Sequence, residues 1–186
     1  ALLMTFGADI PSRSQSDTRK IEFLEKSVLP VMATTFFLFI AYSCITTFVP
    51  LFADSIKVNS GVFFLVYSTM LTLTRPIAGK LSDRYGETSV ITPALVVTIL
   101  GLVALSLSTG LWGIVVGAVL YGIGFGSAFP VLQATTIRLA RPDRKGVANA
   151  SFTTATDLGI GLGSTMLGWI FQHSSYQMLF ITGAIS

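Results

Sequence analysis

The sequence holds one cysteine and one histidine in 186 residues. That excludes a disulfide framework, a Cys/His zinc cluster and a Cys–His nucleophile pair, and no cofactor or metal site is expected. Charge is scarce as well. Lys, Arg, Asp and Glu make up 11% of the chain, where soluble domains carry about 25%. With 52% hydrophobic residues, a water-soluble fold could not cover its surface with polar groups. A soluble enzyme and a nucleic-acid module are both excluded, and the lipid bilayer is the natural solvent. An intramembrane enzyme gains no support either, because His173 near the end of an apolar run brings no nucleophile–base set with it.

What the chain does have is long apolar runs. Five reach the roughly 20 residues that cross a bilayer, at 28–52, 61–79, 88–109, 111–137 and 147–171, and a sixth opens at 176. The expected fold class is an all-α membrane protein. Residues 1–11 read as the end of a preceding transmembrane helix, 12–27 as a polar linker loop, and 28–186 as a helical bundle. Both ends look like cuts in a longer membrane protein. Pro50 falls near the end of the first span, and Pro130, inside the fourth, predicts a kink or an unwound turn.

The twelve basic residues give the orientation. Eleven of them (Arg13, Arg19, Lys20, Lys26, Arg75, Lys80, Arg84, Arg138, Arg141, Arg144 and Lys145) fall on one side when the spans alternate, and only Lys57 falls on the other. The rich side is expected to be cytoplasmic, with the linker loop. Most of these charges need no role beyond setting topology.

The connection between the second and third spans reads Arg75-Pro-Ile-Ala-Gly79-Lys-Leu-Ser-Asp83-Arg84-Tyr-Gly86-Glu87. Gly79 and Gly86 suit a tight turn between two helices. Asp83 is placed to cap the next helix, and Arg84, with Arg75 just inside the membrane, to pair with that carboxylate or with lipid phosphate. Such a cluster either ties two helices together or works as a gating latch that holds them in one state and releases them in another.

Residues 79–86 resemble the loop signature of the major facilitator superfamily, G-x-x-x-D-[RK]-x-G. The resemblance implies the C-terminal half of a twelve-helix bundle, with helices 7–11 complete and the ends of helices 6 and 12 present. It places the linker in the central cytoplasmic loop and the missing N-terminal half on the same protein. The sequence departs from the pattern at Glu87, where the family commonly has Arg or Lys, so one contact of the loop is expected to be lost. The fourth and fifth spans, with Tyr121-Gly-Ile-Gly-Phe-Gly126-Ser-Ala-Phe-Pro130 and Asp157-Leu-Gly-Ile-Gly161-Leu-Gly, are similar to the drug:proton antiporter-like branch of exporters.

Three further groups carry information. Gly122, Gly126 and Gly161 offer small surfaces for close helix packing, and with Pro130 they make a plausible hinge. Asp157 lies about ten residues from the basic end of its span, about 15 Å deep at 1.5 Å per residue. A carboxylate there is costly, so it must face a wet cavity, meet a partner or be protonated. It serves either protons and cationic ligand groups, or a hydrogen bond between helices. Tyr42 and Thr46 on the first span, Tyr67 on the second and Gln133 below Pro130 form a mixed aromatic and hydroxyl face. That face suits an amphipathic ligand, or simply helix packing.

The resemblance implies a secondary active transporter that exports small amphipathic molecules by alternating access, with protons as the coupling ion, in a bacterial cytoplasmic membrane. An importer or facilitator, a lipid or metallophore exporter, and a non-transporting membrane subunit are the alternatives. The expected partners are the lipid bilayer, a small-molecule substrate and the N-terminal half, with no nucleic acid.

Overall fold

Apolar runs bounded by helix-stopping residues become helices, since only helices satisfy every backbone group inside lipid. The computed structural model describes residues 28–142, 144–173 and 176–185. The helix end expected at 1–11 and the linker expected at 12–27 lie outside them. In chain order the helices are α1 (Leu29–Ser55), α2 (Ser60–Tyr85), α3 (Thr88–Ser106), α4 (Leu111–Leu139), α5 (Lys145–His173) and α6 (Tyr176–Ile185). Among the described residues, α1 to α4 are long and apolar enough to cross a membrane. The 29-residue α5 matches α4 in length.

Local chemistry sets the ends. Pro30 stands in the first turn of α1, where its missing N–H costs nothing. Lys57 adopts a left-handed conformation, φ 56°, in the turn to α2. The Asn59 side chain then caps α2 by accepting from the Gly61 N–H at 2.8 Å. α4 runs unbroken through Pro130, so no unwound turn forms there. α1 likewise continues past Pro50 to Ser55.

The connection between α2 and α3 differs from its expected form. Gly79 is an ordinary helical residue of α2, and a Cβ placed on it would touch nothing within 4 Å. The turn rests on Gly86 alone, at φ 87°, a conformation open to glycine and costly for other residues. Asp83 sits in the last turn of α2 and does not cap α3. The residue before α3 is Glu87, whose side chain makes no capping bond.

Only α3 and α4 pair closely as neighbours in sequence; the other main pairings skip along the chain. α4 packs between α2 and α3, α1 packs along α5, and α6 leans on α3. Glycines permit the close crossings. A Cβ on Gly126 would lie 2.9 Å from Leu71 Cα, and one on Gly122 would lie 2.9 Å from Tyr67 O, both on α2. On α5, Gly159 and Gly163 play the same part against α1, meeting Phe36 O at 2.7 Å and Ile40 Cα at 2.9 Å. Gly161, between them in sequence, faces open space. Gly124 carries the α3 crossing, where a Cβ would stand 2.5 Å from Thr98 N and 2.7 Å from Ala94 O.

Candidate functional site

The exposed surfaces of α2 and α5 are each divided lengthwise into a polar sector and an apolar one. On α5, Thr153, Asp157, Gly161 and Thr165 recur at i, i+4 and lie exposed on one face. Leu158, Leu162, Met166 and Trp169 form the neighbouring sector, 48–67% exposed. Only four of the 26 residues of α2 are buried. Its exposed face carries Ser68, Thr72 and Arg75, with Leu65 among them, on one side and Leu73, Ile77 and Leu81 on the other. Leucine, methionine and tryptophan are at home against acyl chains. A carboxylate and a guanidinium are not, and they mark surface that faces water or protein. Asp157 is twelve residues into α5, about 18 Å from its first residue, close to the middle of a 29-residue helix.

α1 and α4 stand between these flanking helices and join them through aromatic rings. Phe63, Tyr67, Tyr121, Phe125, Phe129 and Phe152 follow one another with centroids 5.8–6.0 Å apart. Tyr42 of α1 stacks on Phe125 at 5.0 Å. The column thus runs from the start of α2, through α4, to the first half of α5. Tyr42, Phe129 and Gln133 are half-buried at its edge, whereas Tyr67 and Tyr121 are buried. Thr46 spends its hydroxyl on the carbonyls of Tyr42 and Ser43, at 3.2 and 3.3 Å.

The Tyr121 hydroxyl is fully buried and has no hydrogen-bond partner among the described residues. An unmet buried hydroxyl costs about 1–3 kcal/mol. Tyr121→Phe keeps the ring stacking and is expected to raise stability by about 1 kcal/mol. Thermal unfolding in detergent measures this, and a lower midpoint in the variant would show that the hydroxyl does have a partner.

At the basic end of the bundle, the acidic turn binds an arginine that the sequence did not single out. Arg138, in the last turn of α4, donates to Glu87 Oε1 at 2.9 Å and to Asp83 Oδ1 at 3.3 Å. Neither Arg84 nor Arg75 reaches these carboxylates. Arg84 lies instead over the ring of Tyr85, 5.2 Å from its centroid. Glu87 therefore replaces the expected lost contact with a made one. A cavity of about 220 Å³ adjoins the pair, between Gly79, Ser82 and Asp83 of α2 and Pro130 and Arg138 of α4. No local pattern could have revealed this pairing, because 51 and 55 residues separate Arg138 from its partners. Arg138→Gln is expected to speed amide hydrogen exchange across residues 83–89 severalfold, and Arg138→Lys to restore part of the protection. Unchanged exchange in the glutamine variant would mean that Gly86 alone holds the turn.

These features have a family counterpart. The sequence model described as Major Facilitator Superfamily matches residues 22–186. The chain belongs to the major facilitator superfamily. Among curated relatives, an uncharacterized MFS-type transporter, YhhS, is 26% identical over 144 residues in Escherichia coli K12 and in Shigella flexneri, and 25% identical in Salmonella enteritidis PT4. Each match covers 77% of this chain and 36% of the relative, so the chain spans about a third of the length of the curated relatives it matches. As a superfamily bundle, it is an integral membrane protein whose two polar sectors stand on α2 and α5.

Proposed function

We propose that this chain is the C-terminal half of a secondary active transporter that moves small amphipathic molecules by alternating access, exporting them in exchange for protons. The observation that carries this reading is the exposed Asp157 near the middle of α5, within a stripe of threonines and glycine. Superfamily membership supports transport as the general activity. The carboxylate, open on the surface of this bundle, supports a wet passage along which a proton and a cargo molecule compete.

On this reading the polar sectors of α2 and α5 face the N-terminal half, and the apolar sectors face lipid. The passage runs along α1 and α4, where Tyr42 and Gln133 take the ligand by stacking and hydrogen bonding, backed by the buried Tyr67 of α2 in the aromatic column. The end of α2 with Gly79, Asp83 and Arg84, closed by the turn at Gly86 and with Arg75 on the same helix, is the gating latch. Asp83 holds α2 to α4 through Arg138 in one state and releases it in the other. Gly122 and Gly126 are the close contacts on which α4 pivots against α2, and Pro130 and Gly161 are the points at which α4 and α5 bend. The basic ends lie in the cytoplasm of a bacterial cell, following the positive-inside rule.

The test is reconstitution of the whole protein into vesicles carrying a pH gradient, with a fluorescent lipophilic cation as cargo. Accumulation that collapses when a protonophore is added supports proton-coupled transport. Accumulation indifferent to the gradient points to a facilitator, and none at all in well-folded protein to a non-transporting subunit.

A further inference from the structure

α2, α3 and α4 leave a groove of about 210 Å³ on the basic half of the bundle. Ile77 and Leu81 line it along α2, and Val90, Pro93 and Val97 along α3. Its two hydroxyl side chains are already spent. Thr74 Oγ1 donates to Met70 O at 2.6 Å, and Ser127 Oγ donates to Ile123 O at 2.8 Å. The groove is apolar and open at the surface, with Leu81 43% exposed, so in a bilayer an acyl chain lies against it.

The mouth of the groove has the opposite character. One turn beyond Leu81, Tyr85 continues the same helix face, and the Arg84 guanidinium lies over its ring at 5.2 Å. None of the described carboxylates pairs with Arg84, because Asp83 and Glu87 are both taken by Arg138 on the side of α4. α3 begins beside this point at Thr88 with no side-chain cap. Val90 and Ile91 donate their amides to Glu87 O, which leaves the amides of Thr88 and Ser89, at the positive end of the dipole, as the ones suited to an anion. An exposed tyrosine at the end of a spanning helix marks the headgroup level.

We infer that the α2–α3 groove binds one anionic phospholipid, an acyl chain lying along Ile77, Leu81 and Pro93 and the phosphate held by Arg84 at the first amides of α3. The charge fits no zwitterionic headgroup equally well, since a choline would set a second cation against the guanidinium. Leu81 and Arg84 are three residues apart, about 4.5 Å along the helix axis, which matches a phosphate sitting just beyond its own chain.

Native mass spectrometry of the purified full protein, released from micelles containing equal phosphatidylglycerol and phosphatidylcholine, tests the site. The unaltered protein is expected to retain phosphatidylglycerol about fivefold over phosphatidylcholine, the factor for one basic residue at a membrane surface. Arg84→Gln should erase that preference, while Lys145→Gln, which removes the same charge from the same end, should leave it intact. Ile77→Trp fills the groove from an exposed position, 62% accessible, and should lower retention of both lipids. Equal retention of the two lipids by the unaltered protein overturns the assignment. So does an Arg84→Gln protein that keeps its preference, an equal loss in Lys145→Gln, or an Ile77→Trp protein that binds as much lipid as before.

Discussion

Gly124→Ala is expected to destabilise the bundle by about 3 kcal/mol, at the upper end of the cost of overpacking a core. The added methyl would stand 2.5 Å from Thr98 N and 2.7 Å from Ala94 O. Both are backbone atoms of α3, and neither can turn aside as a long side chain would. Relief requires α3 and α4 to separate, which opens the packing around Leu102, Leu105 and Ile114, all at most 1% exposed. Gly161→Ala is the matched control. Its methyl meets nothing within 4 Å, and alanine is the better helix former by up to about 1 kcal/mol. Thermal unfolding of the two variants in one detergent should therefore move in opposite directions. A Gly124→Ala midpoint equal to the unaltered one would mean that the α3–α4 crossing is looser than its geometry.

Asp157→Asn should reduce gradient-driven transport roughly a hundredfold, the scale on which a positioned proton carrier acts. Asparagine matches aspartate in size and still accepts a hydrogen bond through its amide oxygen, yet it carries no exchangeable acidic proton. The two roles open to Asp157 therefore separate. A carboxylate that exchanges protons is lost in Asn and largely kept in Glu, whereas a bond between helices survives in Asn and is strained in Glu. Counterflow of labelled cargo with no gradient should persist in Asp157→Asn, because that exchange moves no net proton. Stability should change little, since Asp157 is exposed on α5. Full gradient-driven transport by the asparagine variant would move proton coupling away from this residue.

Much of the bundle was legible because lipid imposes one rule on the backbone and few sequences obey it over 20 residues. The apolar runs therefore gave α1 to α5 within a few residues at most ends. The exception was the end of α2, six residues beyond Gly79. Glycine and proline read as punctuation in water, but Pro76 and Gly79 lie inside a continuous helix, and only Gly86, at φ 87°, breaks it. The polar sector of α5 was half legible, since Thr153, Asp157, Gly161 and Thr165 follow helical spacing. Which glycines make the crossings was not. Gly159, Gly161 and Gly163 are alike in sequence, and only the position of α1 separates the packed pair from the open one. Arg138 was illegible for a related reason, as its role exists only once α4 returns beside the turn after α2.

The partnering of the helices also bears on how the chain is made. Helices enter the bilayer in the order of synthesis, but α1 finds its chief neighbour in α5, after three further helices have been translated. At 5–20 residues per second that delay is on the order of ten seconds. Through it, α1 must wait in lipid with its contact face open. Its sequence suits the wait. Thr35 and Ser43, both buried in the finished bundle, hydrogen-bond to carbonyls of their own helix, Val31 O and Ile40 O, each at 2.8 Å. The newborn helix thus carries these hydroxyl groups already satisfied and needs no escort for them until α5 arrives.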